Sequence, residues 1–225
     1  TVGIYTSGGQ DNSNYQLNVS NVKILNSSNF GILANASSVN AENTIINKSG
    51  QSSFAATYGG RYNINHCTIS NYWNYGLRQY PSLLLNNFFI DSQENQFINE
   101  TFEVIIRNSI INGNQNIEFL IEQLDDSSLN YKVFNTYIKF NDISNYFTND
   151  MNYDFFFFFK YENPYLNLTA SFIDPFNNDL RIDQNSELLN LGNIDFAELT
   201  PFDILNFNRL NSPDLGAYQH IIIQD

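Results

Sequence analysis

The chain has 225 residues with 23 acidic against 10 basic, a formal net charge of −13 and a single cysteine, Cys67. That charge argues against nucleic acid and anionic membrane surfaces as partners, since both bind through clustered cations and no basic run occurs here. One cysteine excludes an internal disulfide and every multi-cysteine metal motif, and the longest purely aromatic run, Phe155 to Phe159, is far short of the ~20 apolar residues of a spanning helix, so no membrane insertion is expected.

Residues 1–16 read as the tail of an earlier coil, with a strand at Ile4 and Tyr5 and a turn at Ser7-Gly8-Gly9. No basic, apolar leader stands before that strand, and the chain reads as a fragment of a longer protein. From Leu17 one slot recurs six times, at Asn21, Asn43, His66, Asn87, Asn108 and Asn135, in steps of 22, 23, 21, 21 and 27 residues. Two residues before it stand Val19, Ala41, Ile64, Leu85, Ile106 and Val133, and four before it Leu17, Val39, Tyr62, Leu83, Val104 and Tyr131. Three after it come Ile24, Ile46, Ile69, Ile90, Ile111 and Ile138, and eleven after it Ile32, Phe54, Leu77, Ile98, Phe119 and Tyr146.

Alternation before the slot is the period-two mark of a strand with one face buried. The odd step to the next core residue requires a corner, and Asn suits it because it tolerates left-handed backbone and can bond the Asn one coil above. Short strands joined by turns, repeating every 21–27 residues, predict an all-β, right-handed parallel β-helix. A leucine-rich repeat would need helical return segments, which this chain lacks. Residues 1–147 are then the coils and 148–179 an aromatic insertion, its five phenylalanines forming a strand buried on both faces or a cover for the stack. Residues 180–225 make a terminal, degenerate coil and a C-terminal capping segment, all within one continuous domain.

The tail carries a more specific string. Asn185-Ser186-Glu187-Leu188-Leu189-Asn190-Leu191-Gly192, Asp203 to Arg209, and Ser212-Pro213-Asp214-Leu215-Gly216-Ala217-Tyr218 resemble the terminal module of secreted bacterial β-helix proteins of the choice-of-anchor Q type, with a pectin-lyase-like fold. The Pro-Asp-x-Gly-Ala-Tyr portion is the specific part; Glu187, Asn206 and Gln219 depart from the residues usual at their positions. The resemblance implies an extracellular or cell-surface protein, and carries no reaction with it. On physical grounds Asp203 and Arg209 can pair across the terminal coil, Gly216 permits close backbone approach, and Tyr218 can bury its ring.

His66 beside Cys67 is the obvious nucleophile pair, yet its place in the Asn series makes it a structural rung, since imidazole can donate and accept as an amide does. The strand after the slot is expected to present Gly31, Ser53, Gly76, Phe97, Glu118 and Asn145 outward at offset ten. Its first coils would form a flat floor with one cation, Arg78, near Trp73, Tyr75 and Tyr80, and Arg61 and Lys48 stand in neighbouring turns. Arg78, Trp73, Tyr75, Tyr80 and Arg61 are the candidate ligand site: aromatic faces stack on pyranose rings, so a polysaccharide or another extracellular partner is expected. Catalytic residues are not assigned; an alternative is a polysaccharide lyase or glycoside hydrolase with part of its site upstream, and another is a structural stalk. No cofactor is expected, with Ca²⁺ at Asp91, Glu94, Glu100 and Glu103 as the alternative, although they lack EF-hand spacing. Asp125 and Asp126 read as a solvated acidic turn, and the sequons at Asn18, Asn26, Asn35, Asn47, Asn99 and Asn167 are those an Asn-rich chain contains by chance.

Overall fold

A computed structural model describes residues 1–8, 14–124 and 129–220. The chain is a right-handed parallel β-helix, its coils stacked through long parallel sheets. One wall consists of Leu17–Ser20, the second halves of Ile32–Glu42 and Phe54–Asn65, then Phe102–Arg107, Asn130–Phe134 and Tyr161–Glu162. A second wall is Lys23–Ser27, Ile45–Ser49, Thr68–Asn71, Ile110–Gly113, Tyr137–Ile138 and Tyr165–Leu166. A third is Ile4–Ser7, the first halves of the two long strands, Leu83–Asn86 and Phe119–Glu122. The long strands bend from the third wall into the first at Ala36 (φ 47°) and at Tyr58-Gly59-Gly60 (φ 55°, 73° and 123°).

Pairing puts like over like along the interior. Val19, Ala41, Ile64, Ile106, Val133 and Tyr161 form one column; Ile24, Ile46, Ile69, Ile111, Ile138 and Leu166 another; Ile4, Ile32, Phe54, Leu83 and Phe119 a third. These columns form one continuous buried core. At about 1.5–3 kcal/mol for each fully buried Ile, Leu or Phe, they are the main favourable contribution to folding.

The coil count differs from the sequence expectation. Leu83, expected four residues before a slot, pairs with Phe54 and Phe119 in the third wall, while Leu77, expected there, is 99 % exposed. Leu83–Asn86 is therefore the return strand of the His66 coil, reached after an inserted loop. Phe88–Ile90 and Gln96–Ile98 then form an antiparallel hairpin outside the stack, and the next coil opens at Phe102. Asn87 is not a rung. The 42 residues from His66 to Asn108 are one coil with two insertions, which two unadorned coils match in length.

The pattern also continues past Tyr146, which is itself exposed. Tyr161 pairs with Val133, Leu166 with Ile138, and Asn163 becomes the slot over Asn135. The phenylalanine run is no strand: Phe155 packs against Phe140 and Tyr161 at the end of the core, whereas Phe156 is 94 % exposed. Consecutive residues in tight turns cannot all face one core.

The C-terminal segment folds back along the helix instead of adding a coil. Phe172–Asp174 and Asp179–Ile182 pair antiparallel, and Leu180, Ile182, Leu188, Leu215 and Ala217 pack on the outward side chains Ile45, Ile110 and Tyr137 of the second wall. Residues 193–218 then run along the slot corner, from Asn108 to Asn43 and back.

Candidate functional site

The slot residues Asn21, Asn43, His66, Asn108, Asn135 and Asn163 all have left-handed backbone, φ between 41° and 57°; Asn87 does not. Their amides hold two structures together. Asn43 Nδ2 donates to Asn21 Oδ1 (3.2 Å) and to Phe202 O (2.6 Å), and Asn108 bridges Asn193 through both its oxygen and its nitrogen (2.8 Å each). His66 Nε2 accepts from Asn108 Nδ2 at 2.9 Å while Nδ1 donates to Gly216 O at 3.3 Å. Burial and the nearby Arg209 charge push the imidazole pKa well below its ordinary range. Cys67 points its thiol at Ala41 O and Asn65 O, and burial raises its pKa to about 12. The pair is part of the frame, not a nucleophile and its base.

Arg209, 1 % exposed, clamps the returning segment by donating to Gly216 O (3.1 Å) and Asn43 Oδ1 (2.8 Å); burial lowers its pKa to about 10. It makes no direct ion pair with Asp203, whose carboxylate accepts the N–H groups of Leu205, Phe207 and Gln219. Gly216 has φ 84°, and a Cβ there would stand 2.6 Å from Thr68 Oγ1. That close approach requires glycine.

The sequence-predicted ligand residues are only partly brought together. Arg78 is buried in a two-pronged ion pair with Glu118 (2.6 and 2.9 Å) and also donates to Tyr80 O, Asn71 O and Asn114 Oδ1. It bolts the inserted loop to the neighbouring coil. Trp73 and Tyr75 do meet, ring centroids 5.1 Å apart, with Lys48 Nζ 4.6 Å from the Tyr75 ring and 3.0 Å from Phe176 O. Tyr80 meets Arg78 through its carbonyl, and Arg61 lies on another wall, 4.7 Å over Tyr15. The expected outward floor is absent. Gly31, Ser53 and Glu118 turn into a corner, where a Cβ on Gly31 would lie 2.3 Å from Ile46 Cγ2, while Gly76, Phe97 and Asn145 fall outside the column.

The first wall is open along its middle row. Its middle outward row is Asn18, Asn40, Asn63, Ile105 and Lys132, all exposed or half-buried; Arg61 and Glu103 stand on one flank beside the buried Ser38, and Glu42 and Arg107 on the other beside Asn65, which the C-terminal segment buries through Phe196 O and Thr200 Oγ1. The corresponding outward Ile45, Thr68, Ile110 and Tyr137 of the second wall are at most 2 % exposed beneath the returning segment. Across the coils Asn63 Nδ2 donates to Asn40 Oδ1 (2.6 Å) and Arg107 Nη1 to Asn63 Oδ1 (2.5 Å). Partial burial lowers the Arg107 pKa, and its guanidinium lies 5.5 Å over Phe196. Near the bend, Tyr58 packs edge-on to Phe89 (4.9 Å), which stacks on Phe97 (4.7 Å).

This wall is a flat strip of amides and charges with aromatic side chains at both ends of its strands. Such a strip can exchange hydrogen bonds with a polyhydroxylated chain and stack on its rings. The sequence reading passed over Asn40, Asn63 and Arg107; the signal was the Asn repeating three residues before the slot.

Asp91 closes the hairpin turn by accepting from Gln93 N, Asn95 N and Asn95 Nδ2, bonds that hold its carboxyl below the usual range. Among the described residues no group of three or more His, Cys, Asp and Glu could hold a metal ion. Asp125 and Asp126 lie outside the described residues, and no helix among the described residues is long and apolar enough to cross a membrane. Comparison with protein-family models, with curated proteins and with solved structures returned no match.

Proposed function

We propose that this chain is a rigid, exported β-helix that binds carbohydrate along its first wall, and that its C-terminal module is of the choice-of-anchor Q type, associated with the cell surface. The observation that carries the binding reading is the open row Asn18, Asn40 and Asn63 with Arg107, cross-linked by hydrogen bonds and bordered by aromatic rings, on a fold whose second wall and slot corner are covered by its own C-terminal segment. A row fixed by coil stacking presents its donors and acceptors at a spacing of about 4.8 Å without reorganisation, which lowers the entropic cost of binding a repetitive ligand. Asp214 supports the anchor-module reading, because its carboxylate accepts from Asn190 N (2.7 Å) and so ties the first of the three resembling strings to the last, while also accepting from His220 N (2.6 Å).

A glycan array probed with the full chain tests the reading, with reducing-end and unsaturated-uronate assays run on any glycan captured. Saturable capture without product is the expected result. Product formation would make the protein a hydrolase or lyase, and silence in all three measurements would leave a stalk.

A further inference from the structure

The last coil keeps only two residues of first-wall strand, Tyr161–Glu162, and the turns that carry the phenylalanine run lie directly before it. One buried cluster ties those turns to the stack. Asn152, 4 % exposed, is held by Tyr131 and Tyr161, both buried, with ring centroids 5.8 Å apart. Its Oδ1 accepts from Lys160 Nζ at 2.8 Å, and Nζ lies 4.8 Å over the Tyr131 ring. An ammonium only donates, so the amide atom that faces it is the oxygen, and Cγ is one bond further on. The Tyr131 hydroxyl lies 3.0 Å from Asn152 O and 3.2 Å from Oδ1. Because the Tyr161 hydroxyl already donates to Asn152 O, the Tyr131 proton serves Oδ1. Burial pushes both phenols up, so both keep the protons they donate. Asp150 Oδ1 accepts the Asn152 N–H (2.8 Å) and fixes the backbone beneath the amide. An amine against an amide carbonyl whose oxygen a hydroxyl polarises is the geometry of acyl transfer.

We propose that Lys160 and Asn152 become joined by an intramolecular amide bond. Lys160 is half-buried, and its ammonium passes one proton to water. Nζ then bonds to Asn152 Cγ, and the carbonyl electron pair moves onto Oδ1, where the Tyr131 hydroxyl donates. As that pair returns, the Cγ–Nδ2 bond breaks, and Nδ2 leaves with a proton from Nζ as ammonia, which takes up the proton held by water. One ammonium replaces another, and the balance needs no oxidant. The link closes a ring around Tyr153 to Phe159 and pins Phe155 against Phe140 and Tyr161 at the end of the core. None of these residues belongs to the proposed carbohydrate wall, and either proposal can fail without the other.

Mass spectrometry of the purified full chain is the test. The intact mass should fall one ammonia below that of the sequence. Trypsin should leave the unfolded chain uncut after Lys160, giving residues 140–181 as one peptide lighter by that ammonia. Lys160→Arg keeps the charge and should restore both the full mass and the cut. Tyr131→Phe keeps the ring and loses the donor, and should lower the linked fraction of freshly made chain at least about tenfold. A wild-type chain at its full sequence mass and cut after Lys160 would overturn the proposal. So would an ammonia deficit that maps to another peptide or persists in Lys160→Arg, and a linked fraction unchanged in Tyr131→Phe.

Discussion

Glu118 accepts two hydrogen bonds from Arg78, two from Ser82 and one from Gln115 N, all within a fully buried corner. Removing its charge leaves the Arg78 guanidinium buried without a counter-ion, and breaking one side of such a pair costs about 3–5 kcal/mol. Urea denaturation of Glu118→Gln should show a loss near the lower end of that range, since the amide oxygen still accepts. Glu103→Gln, on the exposed wall, should change stability by less than about 0.5 kcal/mol. At the slot, the folded-state pKa of His66 lies below its unfolded value of 6.5. Its contribution is therefore fully present above pH 6.5 and lost as pH falls from there toward the folded pKa, because the unfolded chain takes up a proton that the folded chain refuses. His66→Asn keeps an amide suited to left-handed backbone and has no proton to bind. Denaturation of both proteins at a series of pH values should show the wild type losing more stability below pH 6.5 than the variant.

At the scale of the element, the two candidates for one core position separate cleanly. Leu83→Ala should cost about 3 kcal/mol by opening a cavity between Phe54 and Phe119, whereas Leu77→Ala should stay within about 0.5 kcal/mol. Equal effects in denaturant melts would restore the extra coil. The reason Leu83 misleads is physical: Leu-Leu-Leu-Asn-Asn puts leucine at both inward positions, 83 and 85, of a strand of either wall, and period two does not say which wall a strand joins. Coil existence, interior columns and the left-handed slot were legible because each recurs in several coils. Asn163 was missed because the run Phe155 to Phe159 does not alternate and the strand before the slot shrinks to Tyr161–Glu162, too short to carry a period-two signal. The returning segment was illegible for another reason. Its contacts, such as Arg209 with Asn43, join residues far apart in sequence and leave no periodic trace.

Across the whole molecule the charge distribution separates the open wall from the rest. Arg78 and Arg209 are buried, Arg181 is paired with Asp179, and Lys48 and Lys139 bond to backbone carbonyls, whereas Arg61, Arg107 and Lys132 face outward on the first wall. Three cations stand there among Glu42 and Glu103, on a chain that is otherwise strongly acidic. The expected ligand set around Arg78 rested on sequence proximity to Trp73 and Tyr75, and residues adjacent in a loop need not face the same solvent. The wall itself could be read from the odd offsets before the slot, where Asn18, Asn40 and Asn63 repeat, once the even offsets are assigned to the interior.

The most direct test of the account compares two paired variants by calorimetric titration with whichever glycan the array identifies. Asn63→Leu with Arg107→Ala should weaken binding at least about tenfold, the loss of charge-assisted and neutral hydrogen bonds together, while Trp73→Ala with Tyr75→Ala leaves the affinity unchanged. Unchanged affinity in the wall pair together with loss of binding in the Trp73 and Tyr75 pair would contradict it and move the site to the inserted loop.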